Sequence, residues 1–297
     1  MLIKRRGHRI ARLIGLSSVT LMIAACEPSH QQATTTASPQ SVRVAVVGGM
    51  THTGLWQALS ERFSGETGQA LEIVTGPKHV LDDVVRQGGI DLVTMHSSDT
   101  IVNLAADGYI ENLQPWLRND LVIVGPPTDP AGISGLTDAG EAIRRIRESN
   151  SHFLVHASLG AQGVLKDVMH RAGIELTREQ TTILLVDRHR EVLKLAAEMN
   201  AYTLVGRIPF LSGRMENQGL VVMVQGDPAL RRPYLVGVVP KERSTPLRHA
   251  AAMQLQRFLT SKATQDFITT FGAGHLDQHP IFFPAAPSRA NTPEVTI

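Results

Sequence analysis

The chain has 297 residues, of which 42% are hydrophobic, 19% are charged and one is a cysteine. Its formal net charge is +2, but residues 1–25 hold five of the 29 Lys and Arg residues and no Asp or Glu. The rest of the chain therefore has 24 basic and 27 acidic residues, a net charge of −3, which does not favour a nucleic-acid partner. A lone cysteine excludes an internal disulfide, so a hydrophobic core has to stabilise the fold.

The N-terminal segment has the features of a secretory signal. Basic residues between Lys4 and Arg12 precede an apolar run, Leu13–Ala25, that is too short to cross about 30 Å of hydrocarbon. The run ends in Ile23-Ala24-Ala25-Cys26, which resembles a bacterial lipobox, the site where a peptidase cuts before a lipid-modified cysteine. We predict a signal peptide at 1–25, lipid attachment at Cys26, and a mature protein held outside the cytoplasmic membrane of a bacterium, in the periplasm or at the cell surface.

Two polar segments flank the part of the chain that can form a core. Residues 26–41 are rich in Ser, Thr and Pro and predict a flexible tether, and residues 285–297 predict a loose tail. The intervening residues are numerous enough for one large domain or two lobes.

The first half of this domain alternates β-branched runs with helical periods. We predict strands at Val42–Val47, Leu71–Val74, Asp91–Met95 and Leu121–Val124, separated by helices at Gly54–Ser64, Val80–Arg86 and Thr100–Ala106. This order predicts a mainly parallel sheet covered by helices.

The same alternation then restarts. We predict helices at Leu136–Glu148, Val164–Arg171 and Arg190–Asn200, one or two helices over Leu247–Phe271, and strands at His152–Val155, Thr182–Val186, Ala201–Val205, Val221–Val224 and Leu235–Val239. Small ligands bind at the carboxyl ends of parallel strands, so two such groups predict two sets of loops facing one cleft.

Several long segments resemble one known family. They are Asp91–His96, Arg118–Ile133, Asn200–Leu204, Gln225–Tyr234 and Ile281–Pro284. From about Val42 to Pro284 the chain resembles the extracytoplasmic solute-binding proteins of tungstate-type ABC transporters. The resemblance implies an α/β fold of the two-lobed periplasmic-binding-protein type II architecture, with mainly parallel sheets and a ligand cleft between the lobes. One lobe would comprise residues 42–126 plus 231–284, and the other residues 127–230.

The ligand loops of that family are changed in this sequence. The family's first loop reads Thr-Thr-Thr-Ser, where this chain has Val46-Val47-Gly48-Gly49. Its second loop reads Ser-Arg-Gly-Asp-Asp-Ser-Gly-Thr, where this chain has Val155 to Gln162, with His156 in place of the arginine. Arg207 matches another family arginine. Because a tetrahedral dianion needs several convergent donors, these changes predict a different ligand specificity.

The positions of these loops before helices indicate candidate ligand contacts, since N–H groups at helix N-termini suit anions. The candidates are Gly48, Gly49, Thr51, Thr53, His96, His156, Ser158, Gln162 and Arg207. Each also has a purely structural interpretation. The glycines suit turns, Thr53 suits a helix N-cap, the histidines suit ordinary hydrogen bonding, and Arg207 suits an ion pair at the surface or between lobes.

Metal binding and hydrolysis are less favoured. His152 and His156 would lie about 13 Å apart on a strand, too far to share one ion, and we expect neither a metal nor a cofactor. His156-Ala157-Ser158-Leu159-Gly160 approximates a Gly-x-Ser-x-Gly nucleophile elbow, but the first glycine is missing.

The sequence thus predicts a lipid-anchored, extracytoplasmic solute-binding component of an ABC importer and not an enzyme. Its partners would be a small polar or anionic solute, an oxyanion included, an ABC permease, and the membrane through the lipid. We expect a monomer. One alternative is a sensor or assembly partner that lost the oxyanion site, and a second is a secreted serine hydrolase using Ser158.

Overall fold

A computed structural model describes residues 41–156, 159–184 and 189–285, which lie within one compact unit, Pro39–Ile297. The side chains of residues 156, 159–160, 183–184 and 189–190 are outside the description. The predicted signal peptide, Cys26, Ser158 and nearly all of the predicted tether and tail also lie outside the described residues.

The strands of the described chain form one mixed sheet. They are β1 (Val42–Val47), β2 (Leu71–Gly76), β3 (Leu92–His96), β4 (Glu111–Gly125), β5 (Phe153–His156), β6 (Thr181–Leu184), β7 (Tyr202–Gly206), β8 (Val221–Val224), β9 (Arg231–Val238) and β10 (Phe283–Pro284). Their order is β2-β1-β3-β9-β4-β7-β5-β6, and β8 and β10 both pair with β4.

Parallel pairing is confined to the outer strands. β1 pairs in parallel with β2 and β3, and β5 pairs in parallel with β6 and β7. By contrast, β4 and β9 run antiparallel to every strand that they contact. The α/β architecture is confirmed, but the sheet is mixed where a mainly parallel one was expected. The reason is that β9 and β4, which lie between the two parallel groups, run antiparallel to their neighbours.

Strand β4 joins the two groups. Residues Glu111–Asp120 pair with β9, whereas Leu121–Gly125 pair with β7 and β8. We call β1, β2, β3, β9, β10 and residues 111–120 of β4 lobe one. Lobe two comprises β5–β8, residues 121–125 of β4 and the helices between these strands. The residue bounds of the lobes given from the sequence remain a prediction.

Helices cover the sheet. They are α1 (Gly48–Thr51), α2 (Leu55–Thr67), α3 (Lys78–Gln87), α4 (Asp99–Ala106), α5 (Ala139–Glu148), α6 (Leu159–Ala172), α7 (His189–Glu198), α8 (Arg207–Leu211), α9 (Pro246–Thr260) and α10 (Lys262–Ile268). Within the described ranges, none is long and apolar enough to cross a membrane.

Capping side chains set several helix starts. The sequence predicted a helix from Leu136, but α5 begins at Ala139 because the Asp138 carboxylate accepts a hydrogen bond from the Glu141 backbone N–H at 2.9 Å. Ser261 separates α9 from α10 and caps α10 by accepting from the Thr264 N–H at 3.3 Å.

Each lobe has its own hydrophobic core. In lobe one the rings of Trp56 and Trp116 pack 5.7 Å apart, and the Trp116 indole donates to the Thr94 hydroxyl at 2.8 Å. In lobe two, successive side chains of β4 point to opposite faces of the sheet and pack into different clusters. Ile123 packs into one core cluster and Val124 into the other. The cores of lobe one and lobe two hold the strand ends rigidly on either side of a cleft.

Candidate functional site

A cleft of about 720 Å³ lies between the two lobes. Lobe one contributes Gly48, Gly49, His52, His96, Asn119, Arg232 and Tyr234. Lobe two contributes Leu121, Ala161, Glu191, Val192, Leu204, Val205, Gly206, Ile208, Pro209, Arg214 and Met215. This volume is in the range of small-molecule binding sites.

Two predicted glycines form part of the lobe-one wall. Gly48 and Gly49 follow β1 directly and lie in the four-residue helix α1. A Cβ on Gly49 would meet no atom within 4 Å, and one on Gly48 would lie in ordinary contact with Thr75 at 3.6 Å. Neither glycine is required by the packing around it. Their lack of side chains keeps this end of β1 open to the cleft.

The predicted threonines are engaged locally. Thr51 Oγ1 donates to the Gly48 carbonyl at 2.9 Å, and Thr53 Oγ1 donates to the Met50 carbonyl at 2.8 Å. Thr53 Oγ1 also accepts from the Leu55 N–H at 3.3 Å, at the start of α2. Neither threonine lines the cleft. The N-cap of α2 is Gly54, so Thr53 does not take the N-cap position that the sequence had left open, and its hydroxyl contacts the helix start from one residue earlier.

His96, the last residue of β3, lines the cleft as predicted. Its ring packs against Tyr234 with centroids 4.1 Å apart, and its Nε2 is buried without a hydrogen-bond partner. Burial, followed by the charges of Arg232 and Lys78, holds the pKa of His96 well below its usual range. The ring is therefore neutral at pH 7 and can donate through one nitrogen and accept through the other.

Arg232 and Asn119, which the sequence did not single out for the site, face the same cleft. They are paired across β9 and β4. Arg232 Nε and Asn119 Oδ1 are both buried without hydrogen-bond partners. Burial lowers the pKa of Arg232, but a guanidinium remains cationic at physiological pH. Together with His96 these side chains place a fixed charge and neutral polar groups on one wall.

The direction of Arg232 follows from strand geometry. Side chains two residues apart share one face of a strand, so Arg232 lies on the face of the buried Tyr234. Arg231 lies on the opposite face, where its guanidinium packs 3.8 Å from the centre of the Phe283 ring. The alternation in Arg231-Arg232-Pro233-Tyr234 was a sequence signal that the two arginines lie on opposite faces, while the position of β9 in the sheet decides which face meets the cleft.

A second positive group, Lys78, lies close to Arg232 and His96. Lys78 begins α3, and burial, together with the Arg232 charge, lowers the pKa of Lys78 to about 8 despite a smaller opposing effect of Asp99. The same lysine charge acts on His96. The lobe-one wall is therefore an electropositive environment in which an anion would be stabilised.

Arg207 is committed to another role. Its side chain is 1% exposed, and its Nε lies 2.8 Å from Asp120 Oδ1. Its Nη1 lies 2.8 Å from both carboxylate oxygens of Asp277, and its Nη2 donates to the Pro280 carbonyl. Arg207 begins α8 of lobe two, whereas Asp120 and Ile281 belong to lobe one. The predicted ligand residue therefore forms the interlobe ion pair that was the stated alternative.

The second predicted loop is only partly described. The backbone of His156 ends β5, while its side chain and Ser158 lie outside the described residues. Gln162 lies half-buried in α6, and its neighbour Ala161 lines the cleft instead. In the described parts of the chain, no three His, Cys, Asp or Glu side chains cluster as a metal site would require.

Two α/β lobes joined by crossing strands, with a cleft between one polar and one aliphatic wall, have the architecture of a two-lobed binding protein. Residues 42–273 match the family described as bacterial extracellular solute-binding protein, and the chain belongs to that family.

Individual relatives agree with this assignment. A "Putative ABC transporter anion-binding protein" of Haloferax volcanii is 27% identical over 262 residues, covering 84% of this chain and 73% of that protein. The "Tungstate-binding protein TupA" of Peptoclostridium acidaminophilum is 24% identical over 286 residues, covering 93% and 99%. The solved tungstate-binding protein TupA from Desulfovibrio alaskensis G20 shares the fold, with a TM-score of 0.67 at 23% identity and coverages of 83% and 99%.

Proposed function

We propose that this protein captures a small anion in the interlobe cleft and delivers it to the membrane permease of an ABC importer. The similarity to an ABC transporter anion-binding protein supports the transport role, and the similarity to this protein and to a tungstate-binding protein supports the class of ligand.

The observation that carries this proposal is the set of unpartnered polar atoms in the cleft. Arg232 Nε, His96 Nε2 and Asn119 Oδ1 are buried, line one wall and make no hydrogen bond within the described chain. A buried polar atom without a partner costs about 1–3 kcal/mol. An anion that accepts hydrogen bonds from Arg232 Nε and His96 Nε2 would remove that cost for both nitrogens. A hydroxyl or protonated group of the ligand that donates to Asn119 Oδ1 would remove it for that oxygen.

We also propose that the specificity differs from that of the tungstate-binding relatives. The glycines at 48 and 49 bring no hydroxyl, and the hydroxyls of Thr51 and Thr53 already donate to backbone carbonyls. Arg207 is saturated by its own chain. Arg232 of β9 offers a charge to the cleft instead, which changes the position and number of donors offered to a ligand.

The cellular location is part of the same proposal. The signal at 1–25 and the lipobox at Cys26 support an extracytoplasmic protein whose acyl chains hold it at the membrane, near a permease. Binding in such a receptor makes and breaks no covalent bond, so we propose no catalytic role.

Mass spectrometry of the natively purified protein tests the proposal. We expect a co-purifying small anion whose mass is lost on denaturation. Thermal unfolding with added anions gives a second readout, since a ligand of the folded state raises the midpoint. A protein that carries no small molecule, and whose midpoint no anion raises, would instead fit the sensor or assembly role.

A further inference from the structure

We infer that the anion taken by this cleft is organic, with one anionic head group and an apolar body of several carbon atoms. This inference rests on the proposed anion-binding function and specifies its ligand. It follows from the difference between the two walls of the cleft.

The lobe-one wall is suited to the head group. Arg232 supplies the fixed positive charge, and His96 and Asn119 supply polar atoms without partners. A guanidinium binds carboxylate and phosphonate groups with paired, charge-assisted hydrogen bonds. These three residues lie on neighbouring strands, β3, β9 and β4, so their spacing is fixed by the sheet.

The facing lobe-two wall is largely aliphatic, with Glu191 and Arg214 as its charged members. Leu204 and Val205 at the end of β7, Ile208 and Pro209 in α8, and Met215 beyond it all contact the cleft. Leu204, Val205, Ile208 and Met215 are between 4% and 7% exposed. Apolar side chains offer nothing to the oxygens of an inorganic dianion, whereas they favour burial of methylene groups.

The size of the cleft agrees with a larger ligand. Four oxygens of a tetrahedral oxyanion, each about as large as a water molecule of ~30 Å³, occupy roughly 120 Å³. The cleft holds about 720 Å³. Closure of the lobes would reduce this volume but would bring the aliphatic wall closer to the ligand. The described contacts therefore fit a head group at Arg232 and a carbon chain pointing towards Met215.

Calorimetric titration of two homologous series tests this inference on the full mature chain. One series is the straight-chain carboxylates from acetate to hexanoate, and the other is the alkylphosphonates from methyl to hexyl, with tungstate and sulfate alongside. We expect affinity to rise about fourfold for each methylene until the cleft is full, because a buried methylene contributes about that factor. Tungstate and sulfate should bind more weakly than the longer organic anions.

Two methionine variants separate the effect of the aliphatic wall on ligand affinity from an effect on the stability of the protein. Met215→Gln keeps the side-chain length but makes it polar, and should remove most of the gain in affinity with chain length. Met199→Gln, in the same lobe-two core cluster but away from the cleft, is the matched control and should keep the full gain. Thermal unfolding of both variants confirms that each is folded.

The outcomes distinguish this inference from the proposed function. If anions bind through Arg232 but hexyl and methyl members bind equally, or tungstate binds more tightly than all of them, the organic-ligand inference is wrong and the anion-binding function remains. If no anion binds, or Arg232→Gln binds as well as wild type, the proposed function fails and the inference fails with it. The inference is also overturned if affinity rises with the length of the ligand's carbon chain equally in Met215→Gln and Met199→Gln.

Discussion

Arg207 of α8 and Asp277, which follows Leu276 of the lobe-one core, join the two lobes, with Arg207 Nη1 lying 2.8 Å from both oxygens of the Asp277 carboxylate. The Asp120 carboxylate, which is 2% exposed, binds the same guanidinium from β4. Burial raises the pKa of Asp120 and the Arg207 charge opposes that rise, so the two groups depend on each other. This cluster lies beside the cleft, next to the lining residues Gly206 and Ile208.

Removing Arg207 should therefore destabilise the protein. Arg207→Met leaves Asp120 buried without its charge partner, and breaking such a pair costs about 3–5 kcal/mol. Urea unfolding measures the change in the free energy of unfolding. Arg257→Met, at an exposed position on α9, is the control and should change it by less than about 0.5 kcal/mol. A stable Arg207→Met variant that has lost anion binding would instead mark Arg207 as a ligand contact.

Anion affinity should fall as the pH rises through about 8. Lys78 has a pKa lowered to about 8 by burial and by Arg232, with Asp99 acting in the opposite direction. Below that pH the lysine is charged and helps to hold an anion, and above it the charge is lost. His96 is already neutral at pH 7 and should contribute no change between pH 7 and 9.

Titrations at pH 7, 8 and 9 measure this dependence. Lys78→Arg retains a positive charge throughout, because arginine does not titrate in this range, and should give affinities that no longer vary with pH. Equal affinities of the wild type at pH 7 and 9 would show that the Lys78 charge does not act on the ligand.

A side chain at Gly49 should block the cleft without unfolding the protein. A Cβ there meets no atom within 4 Å, so Gly49→Leu can point into the open space and should weaken anion binding at least tenfold. Gly65→Leu on α2 is the matched control, since a Cβ there is equally free of contacts but lies outside the cleft. Equal binding by the two variants would place the ligand away from α1.

Lipid attachment at Cys26 is tested separately from ligand binding. The basic segment and the lipobox predict that labelled palmitate enters the wild type and that Cys26→Ser appears unlabelled in the soluble fraction. Membrane retention of both proteins without label would refute lipidation.

The local part of the fold was readable from the sequence. The predicted bounds of β1 and β8 match the structure, because each is a valine-rich run that ends at a glycine or a polar residue, Gly48 and Gln225. The first part of β4 was missed, since Glu111–Asp120 includes Pro115 and many polar residues. That segment is held in the sheet by β9, about 120 residues later in the chain, and the ladder shifts register at Pro115.

The candidate site also combines residues that local sequence could locate with residues that depend on long-range pairing. Gly48, Gly49 and His96 follow strands directly, and the sequence placed them at the cleft that the structure describes. Arg232 faces the cleft only because β9 enters the sheet between β3 and β4, a pairing that no local pattern specifies. Arg207 likewise depends on Asp277, 70 residues away. Long-range pairing thus determined which of the two arginines is available to a ligand.

Titration of Arg232→Gln against Arg231→Gln tests the central claim most directly. The two arginines are adjacent on β9 and lie on opposite faces, so the comparison removes one charge from the cleft and one from Phe283. With the anion that most raises the unfolding midpoint of the wild type, we expect Arg232→Gln to lose about 10- to 100-fold in affinity, as for a lost charge-assisted hydrogen bond. Arg231→Gln should stay within about twofold of the wild type. Equal affinity of the two folded variants would contradict an anion site built on Arg232.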